Sequence, residues 1–199
     1  MLRPRGVGDI DDVVAMDSDP QVRRFLPPAF RDGFDAAAYR AILPERIATD
    51  HGPGLGHWIL VARAHPNAFV GTALLIPVEG RGPDVEIGWR LPRTHWGKGF
   101  ASEAARQIVL HARRTGLAEL VALIHPDNAA SIGVARKLGF APDGSRDAYG
   151  TTFRLHRLAS RKSLTAAGFR IRYPPHEHDR DQHPTPPSHP PMSVCGRVP

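Results

Sequence analysis

A loop with two glycines, between a predicted strand and a predicted helix, is the stretch best suited to chemistry. It has the sequence W-G-K-G-F at positions 96–100. Glycines let backbone N–H groups approach a ligand closely, and the positive end of the following helix points at the same place. The pattern favours a bound anion, usually a phosphate, with a plain strand-to-helix turn as the alternative. It is neither G-x-x-x-x-G-K-[ST] nor G-x-G-x-x-G, because Ser102 replaces the last glycine of the second pattern.

The residues on either side predict the elements that hold this loop. Every second residue from Val85 to Leu91 is apolar, as in a strand with one buried face. Glu86, Gly88 and Arg90 share the other face. Pro92 ends the strand, and from position 101 the apolar residues recur at helical spacing. The prediction is therefore a strand followed directly by a helix that begins near position 99.

A second informative stretch lies further along the chain. Residues 117–124 form an apolar run that predicts a buried strand, and a helix ending near position 137 follows it. The sequences E-I-G-W-R-L, H-W-G-K-G-F-A-S-E-A, H-P-D-N-A-A-S and R-K-L-G-F occur in this order. Together they resemble the GCN5-related N-acetyltransferases (GNAT), and within them the RimJ/RimL branch of ribosomal-protein alanine acetyltransferases. The resemblance extends from Leu2 to about Leu158 and is strongest over 84–140.

The resemblance implies a fold and a reaction. The fold is α/β (α+β), with a mixed, mostly antiparallel sheet of six to seven strands and helices on both faces. The reaction is transfer of an acetyl group from acetyl-CoA to a primary amine, by direct attack in a ternary complex. A peptide N-terminal α-amine is the favoured acceptor. A small-molecule amine (an amino sugar, polyamine or antibiotic) and a non-catalytic acetyl-CoA-binding module are alternatives, because residues 20–56 carry no diagnostic motif.

The resemblance also implies where acetyl-CoA binds. In this family the glycine loop holds the pyrophosphate, and the pantetheine arm lies along the central strand. A backbone N–H near Trp89 or Arg90 is then expected to face the thioester oxygen. Trp96 departs from the family pattern, which has Gln or Arg there. The implied contacts are Trp89, Arg90, Leu91, Trp96, Gly97, Lys98, Gly99, Phe100, Ala101, Ser102 and Asn128; for Asn128, capping of the following helix is an alternative role.

Two side chains are candidates for proton transfer. An α-amine with a pKa near 8 requires only about 1.4 kcal/mol to lose its proton at pH 7, so a weak base suffices. Glu86 is the candidate base, with an exposed or salt-bridged carboxylate as the alternative. Many relatives have a tyrosine acid just before R-K-L-G-F, but this chain has Ala135 there. Ser131 is therefore the candidate proton source for the departing thiolate.

Composition bounds the class of protein. The chain has 199 residues, of which 41% are hydrophobic and 23% charged, with a formal net charge of +6. The arginines are scattered and no nucleic-acid-binding motif accompanies them, so a solvated basic surface is expected. No signal peptide or membrane span is evident, which predicts a cytoplasmic protein. Cys195 is the only cysteine, so no disulfide and no metal centre is expected. The oligomeric state, monomer or homodimer, stays open.

The predicted acetyltransferase domain covers residues 1–159. The segment 160–199 is rich in proline and histidine and predicts a disordered tail, in which His176, His178 and His183 could alternatively bind a metal. Within the domain we expect strands at 2–4, 57–63, 68–78 and 151–158, and helices at 9–16 and 35–48. A polar loop is expected at 143–148.

Overall fold

The computed structural model describes residues 1–65 and 68–159, which contain seven strands and six α-helices. The tail prediction lies outside these residues. The strands are β1 (Leu2–Pro4), β2 (Gly56–Val61), β3 (Phe69–Pro77), β4 (Val85–Arg90), β5 (Leu120–Ile124), β6 (Ala141–Ala148) and β7 (Thr151–Leu158). The helices are α1 (Ile10–Ser18), α2 (Pro20–Arg23), α3 (Pro28–Arg31), α4 (Ala36–Ala48), α5 (Phe100–Arg114) and α6 (Ala129–Lys137).

All seven strands form one sheet in the order β1-β2-β3-β4-β5-β7-β6. Neighbouring strands are antiparallel except β4 and β5, which are parallel and are joined by α5. The paired positions of β4 and β5 are Glu86 and Val121 alone, so the two strands separate beyond this point. The predicted mixed, mostly antiparallel sheet is confirmed. Its one parallel pair opens at the carboxyl ends of the strands, where ligands bind in open α/β sheets.

Helices cover both faces of the sheet, as predicted. On one face α5 and α6 pack on the largest apolar cluster, which includes Leu75, Ile87 and Ile108. Alanines at 104, 105 and 112 let α5 approach the sheet closely. On the other face α1 and α4 cover a second cluster around Val13, Leu43 and Ile59, while β5 and β7 contribute to a third around Val121 and Leu155.

The face opposite α5 has a gap between its two apolar clusters. Ile59 and Val61 of β2 belong to the cluster under α1 and α4, and Val121 of β5 belongs to the third cluster. The β4 residues of this face, Glu86, Gly88 and Arg90, belong to neither cluster. The middle strand therefore presents its polar face between two apolar walls.

The prediction of a polar loop at 143–148 is wrong, because these residues belong to β6. This strand lies at the edge of the sheet, and most of its residues are exposed, so it lacks the apolar alternation of a half-buried strand. Gly144, with φ 84°, lies where the register with β7 shifts between Pro142 and Ser145. Such a bulge bends an edge strand. Two short helices, α2 and α3, lie between the two helices that the sequence predicted at 9–16 and 35–48.

Among the described residues, no helix is both long enough and apolar enough to cross a lipid bilayer.

Candidate functional site

The glycine loop leads directly into α5. Gly97 and Gly99 have φ values of 72° and 83°, a left-handed conformation that L side chains rarely adopt. The first backbone bond of the helix runs from the Glu103 N–H to the Gly99 carbonyl oxygen, 3.0 Å. The amides of Phe100, Ala101 and Ser102 precede that bond and so have no partner within the helix. Gly99 is the N-cap and offers no side-chain acceptor, which leaves these donors for an anion.

The space around the loop fits a bulky ligand. A Cβ atom built on Gly97 or Gly99 would meet nothing within 4 Å, and both glycines and Lys98 are exposed. The indole N–H of Trp96 donates to the carbonyl oxygen of Leu91, 2.8 Å, and its ring is 49% exposed. That donor therefore serves the protein itself. A contact between Trp96 and a cofactor, which stays a prediction, would use the exposed ring.

The three predicted contact residues at the end of β4 lie in different environments. Trp89 packs against the cluster under α5, and Leu91 is buried within that cluster. The Arg90 side chain lies on the opposite face, where its Nη1 is 3.3 Å from Asp17 Oδ2. A contact of Arg90 with acetyl-CoA is thus restricted to its backbone, which is the role the sequence predicted.

Glu86 occupies the last paired position of β4 before the strand separates from β5. Its side chain shares a face with Gly88 and Arg90, as predicted: a Cβ on Gly88 would contact Leu74, and Arg90 contacts Asp17. Burial raises the pKa of Glu86 from 4.5 to about 7, although the Tyr149 hydroxyl and the Arg146 charge act in the opposite direction. A carboxylate with a pKa near neutrality is suited to general base catalysis.

Tyr149 holds the Glu86 carboxylate by a hydrogen bond, and the sequence analysis did not identify Tyr149 as a site residue. The Tyr149 hydroxyl donates to Glu86 Oε2 at 2.8 Å and accepts the Glu79 N–H at 2.8 Å. The Tyr149 N–H in turn donates to Glu79 Oε1, 2.8 Å. Burial, followed by the nearby Glu86 charge, raises the pKa of Tyr149, so the hydroxyl remains a donor. One carboxylate oxygen of Glu86 is thereby engaged, and Oε1 is left for a substrate.

The backbone at Tyr149 is strained. Tyr149 and Gly150 form the two-residue turn between β6 and β7, with φ values of 52° and 77°. Asn-Gly and Gly-Gly suit such a turn, whereas a bulky residue at positive φ is rare. Glu79, its hydrogen-bond partner, is the other non-glycine residue with positive φ in the described chain, at 56°. Strain of this kind is typical of functional sites.

The hairpin that carries Tyr149 is fixed to the beginning of β4 by charges. Asp84 accepts hydrogen bonds from Arg146 of β6 and from Arg157 of β7, whose Nη1 is 3.1 Å from Asp84 Oδ1. Burial acts to raise the pKa of Asp84, but the two arginines outweigh it and hold the pKa below its ordinary value. The carboxylate therefore stays ionised and holds the hairpin close to Glu86.

The two predicted residues at the start of α6 lie together. Asn128 is the N-cap, and its Oδ1 accepts the Ser131 N–H at 3.1 Å. The capping role weighed for Asn128 is confirmed, and because the cap uses Oδ1, the Nδ2 group stays a candidate contact for acetyl-CoA. Ser131 lies in the first turn of α6 and its hydroxyl is partly buried. Its proposed role as proton source stays a prediction.

A histidine at this edge of the sheet belongs to the motif H-P-D-N-A-A-S, although the sequence analysis did not name it as a site residue. His125 follows β5, and its ring lies 5.3 Å from the ring of Phe25, in the segment between α2 and α3. Its Nδ1 accepts the Asp127 N–H at 3.2 Å. This contact joins the segment between α2 and α3 to the carboxyl end of β5.

Comparison with known proteins adds to this geometry. Residues 1–141 match the sequence model of a family described as an acetyltransferase (GNAT) domain. The uncharacterized N-acetyltransferase p20 of Bacillus licheniformis is 34% identical over 145 residues, which are 72% of this chain and 79% of the relative. The uncharacterized protein YkkB of Bacillus subtilis is 37% identical over 94 residues. Those residues are 45% of this chain and 53% of YkkB, so the chain spans about half the length of that relative.

Solved structures resemble the fold. RimL, a ribosomal L7/L12 α-N-protein acetyltransferase in complex with coenzyme A, has a TM-score of 0.65 and 18% identity, over 80% of this chain and 93% of RimL. The aminoglycoside acetyltransferase AAC(6′)-Ib in complex with coenzyme A has a TM-score of 0.65 and 15% identity, over 80% and 94% of the two chains. At these identities the likeness concerns the fold.

Proposed function

Because the chain belongs to the GNAT acetyltransferase family, as the match over residues 1–141 shows, we propose that it moves an acetyl group from acetyl-CoA to a primary amine. The acceptor we propose is the N-terminal α-amine of a peptide or protein, as for RimL in the RimJ/RimL branch. The observation that carries the proposal is Glu86, a partly buried carboxyl group with a pKa of about 7 at the fork of β4 and β5.

The loop and the fork fit acetyl-CoA. The unpaired amides at the start of α5 suit the pyrophosphate, with Lys98 as an additional nearby charge. The gap between β4 and β5 suits the pantetheine arm, beside Trp89 and Leu91 on one side and Asn128 on the other. Bound there, acetyl-CoA supplies the reactive thioester, and coenzyme A leaves as a thiol. A backbone N–H at Trp89 or Arg90 directed at developing charge on the thioester oxygen would lower the barrier by about 3 kcal/mol.

Proton transfer falls to this chain's own side chains. Glu86 Oε1 takes a proton from the incoming amine, while the hydrogen bond from Tyr149 to Oε2 fixes the orientation of the carboxylate. At pH 7 an α-amine with a pKa near 8 is uncharged roughly 200 times as often as a lysine amine with a pKa near 10.4. A base with a pKa near 7 therefore matches an α-amine. Ser131 would return a proton to the thiolate.

The test is an acetyl-CoA consumption assay with peptides, polyamines and aminoglycosides as acceptors, between pH 6.5 and pH 9. Peptides should be acetylated, and Glu86→Gln should lower their rate more at pH 6.5 than at pH 9, where the amine deprotonates unaided. Glu45→Gln, at an exposed position of α4, is the control. A preference for aminoglycosides or polyamines would favour the small-molecule alternative. Binding of acetyl-CoA without turnover of any amine would favour the binding-module alternative.

A further inference from the structure

Four arginines lie near Asp17 and its partner Tyr39, on the face of the sheet that also carries Glu86. We call Arg5, Arg23, Arg46 and Arg90 the arginine cluster. Asp17, fully buried at its centre, accepts the Tyr39 hydroxyl at 2.9 Å and lies 3.3 Å from Arg90. Arg23 donates to the Asp17 carbonyl oxygen and lies over the Phe34 ring, 4.1 Å from its centre. Asp17 and the exposed Asp50, beside His51 at the rim, offset only part of the four arginine charges, so the cluster keeps a net positive charge.

The arginine cluster, together with Asp17 and His51 beside it, contains most of the buried polar side-chain atoms that lack a hydrogen-bond partner in the described chain. Among the described residues six buried side-chain nitrogen or oxygen atoms have none, and five of them are here. They are Arg5 Nε, Arg5 Nη2, Arg23 Nε, His51 Nε2 and Asp17 Oδ1. Leaving a buried charged donor without an acceptor is costly, so such atoms call for an explanation. Three of these five atoms are guanidinium donors of Arg5 and Arg23, which indicates a site that lacks an acceptor.

The geometry of Arg5 fits a carboxylate. Its Nε and Nη2 form one edge of the guanidinium group, the edge that binds carboxylates with two parallel hydrogen bonds. Arg31 uses this same edge for Asp32, with both distances 2.9 Å. In Arg5 the edge is buried and has no acceptor within the described chain. Burial lowers the pKa of the neighbouring His57 to about 3, and the Arg5 charge acts in the same direction, so His57 is neutral and does not compete for an anion.

The sheet register relates the cluster to Glu86. The Arg5 N–H donates to the His57 carbonyl oxygen, His57 pairs with Leu74, and Leu74 pairs with Gly88. The row that begins at Arg5 thus ends at Gly88, which lies between Glu86 and Arg90 on the same face. Gly88 and Arg90 lie about 7 and 13 Å beyond Glu86 along β4, and the Arg5 backbone lies three strands away, about 14 Å across the sheet. An anion held by the cluster is therefore several residues of extended peptide away from an amine at Glu86.

We propose that the arginine cluster binds an acidic side chain at the second to fourth residue of a peptide acceptor. The proposal rests on the proposed function, in which the α-amine of that peptide meets Glu86. A free amino acid does not fit, because its amine and carboxylate are attached to the same carbon and cannot reach Glu86 and the cluster at the same time. Polyamines and aminoglycosides do not fit either, because their positive charges would face four arginines.

The experiment uses the peptides A-E-E-E-G-Y, A-Q-Q-Q-G-Y and A-K-K-K-G-Y, which differ only in the charge at positions two to four. For the wild-type protein we expect kcat/KM for the glutamate peptide to exceed that for the glutamine peptide at least tenfold, and the advantage to shrink in high salt. Arg5→Gln should abolish the preference. Arg3→Gln is the matched control, because Arg3 lies two residues earlier and pairs with Asp9; it should keep the preference.

Two results would overturn the inference: equal kcat/KM for the first two peptides in the wild-type protein, or an undiminished preference in Arg5→Gln. Peptide affinity measured by fluorescence anisotropy in the presence of coenzyme A reports on the cluster without any turnover. If the peptides bind with the expected preference but are not acetylated, the inference holds and the proposed catalysis fails. If they are acetylated without preference, the proposed function holds and the inference fails.

Discussion

Glu86 carries a carboxyl group that the fold prefers in its neutral form. Its pKa is about 7 in the folded protein, against an ordinary value of 4.5. The folded state therefore binds more protons than the unfolded state between these values, and stability falls as pH rises from 4.5 to about 7. Above pH 7 the loss is complete and amounts to at most about 3 kcal/mol.

We therefore predict that Glu86→Gln stabilises the protein at pH 8 and has little effect at pH 4.5. Glutamine keeps an oxygen that accepts the Tyr149 hydroxyl but carries no charge. Thermal unfolding of both proteins across this pH range measures the effect. A variant destabilised equally at both pH values would show that the charge of Glu86 is not strained by its surroundings. Higher stability with lower activity would mark Glu86 as a functional rather than a structural carboxylate.

Tyr149 should set the pH at which Glu86 becomes a base. Its hydroxyl donates to the carboxylate and so favours the ionised form. In Tyr149→Phe the pKa of Glu86 should rise, and the acid limb of the kcat/KM profile should move to higher pH by about one unit. Thr152→Val removes a hydroxyl from the same hairpin, one bonded to Asp147, and serves as the control. An unchanged profile in Tyr149→Phe would limit Tyr149 to a packing role.

At the scale of elements, the junction between β4 and α5 depends on the backbone of Gly99. With φ 83° this glycine directs the first amides of α5 out of the helix. Gly99→Ala should cost about 1–2 kcal/mol in stability through backbone strain and should weaken acetyl-CoA binding several-fold. Gly116→Ala is matched, because Gly116 has φ 87°, equally open surroundings, and lies at the other end of α5. It should lose stability alone, and calorimetry with acetyl-CoA distinguishes the two.

Local pattern predicted the elements around this junction because their residues alternate or repeat at helical spacing. It placed Glu86, Gly88 and Arg90 on one face of β4 and located α5 within a residue of its start. It failed for β6, whose exposed edge position removes the apolar alternation. A strand that is exposed over most of its length has no alternation of apolar and polar residues for sequence analysis to detect.

At the scale of the whole molecule, contacts between distant segments were beyond sequence reasoning. Tyr149 and Glu86 are 63 positions apart, and Tyr149 and Glu79 are 70 apart. The arginine cluster draws on the residue after β1 and on α2, α4 and β4, so its members appear merely scattered along the chain. The register of the sheet relates Arg5 to Arg90, while α2 carries Arg23 and α4 carries Arg46. The strand and helix around the loop were therefore predictable, whereas the contacts between distant segments were not.

The arrangement of the sheet also predicts the order of chemical events. The fork between β4 and β5 opens at the edge that carries the glycine loop, while Glu86 lies at its base between two apolar walls. Amine and thioester can thus meet directly, and the described residues contain no cysteine, because Cys195 is the one cysteine of the chain. We predict that initial-rate plots for the two substrates intersect and that Cys195→Ala retains full turnover.

Ser131→Ala should lower kcat without a matching loss of acetyl-CoA affinity. Parallel plots together with a trapped acetyl-enzyme would contradict direct transfer, since only a covalent intermediate lets the first product leave before the amine binds.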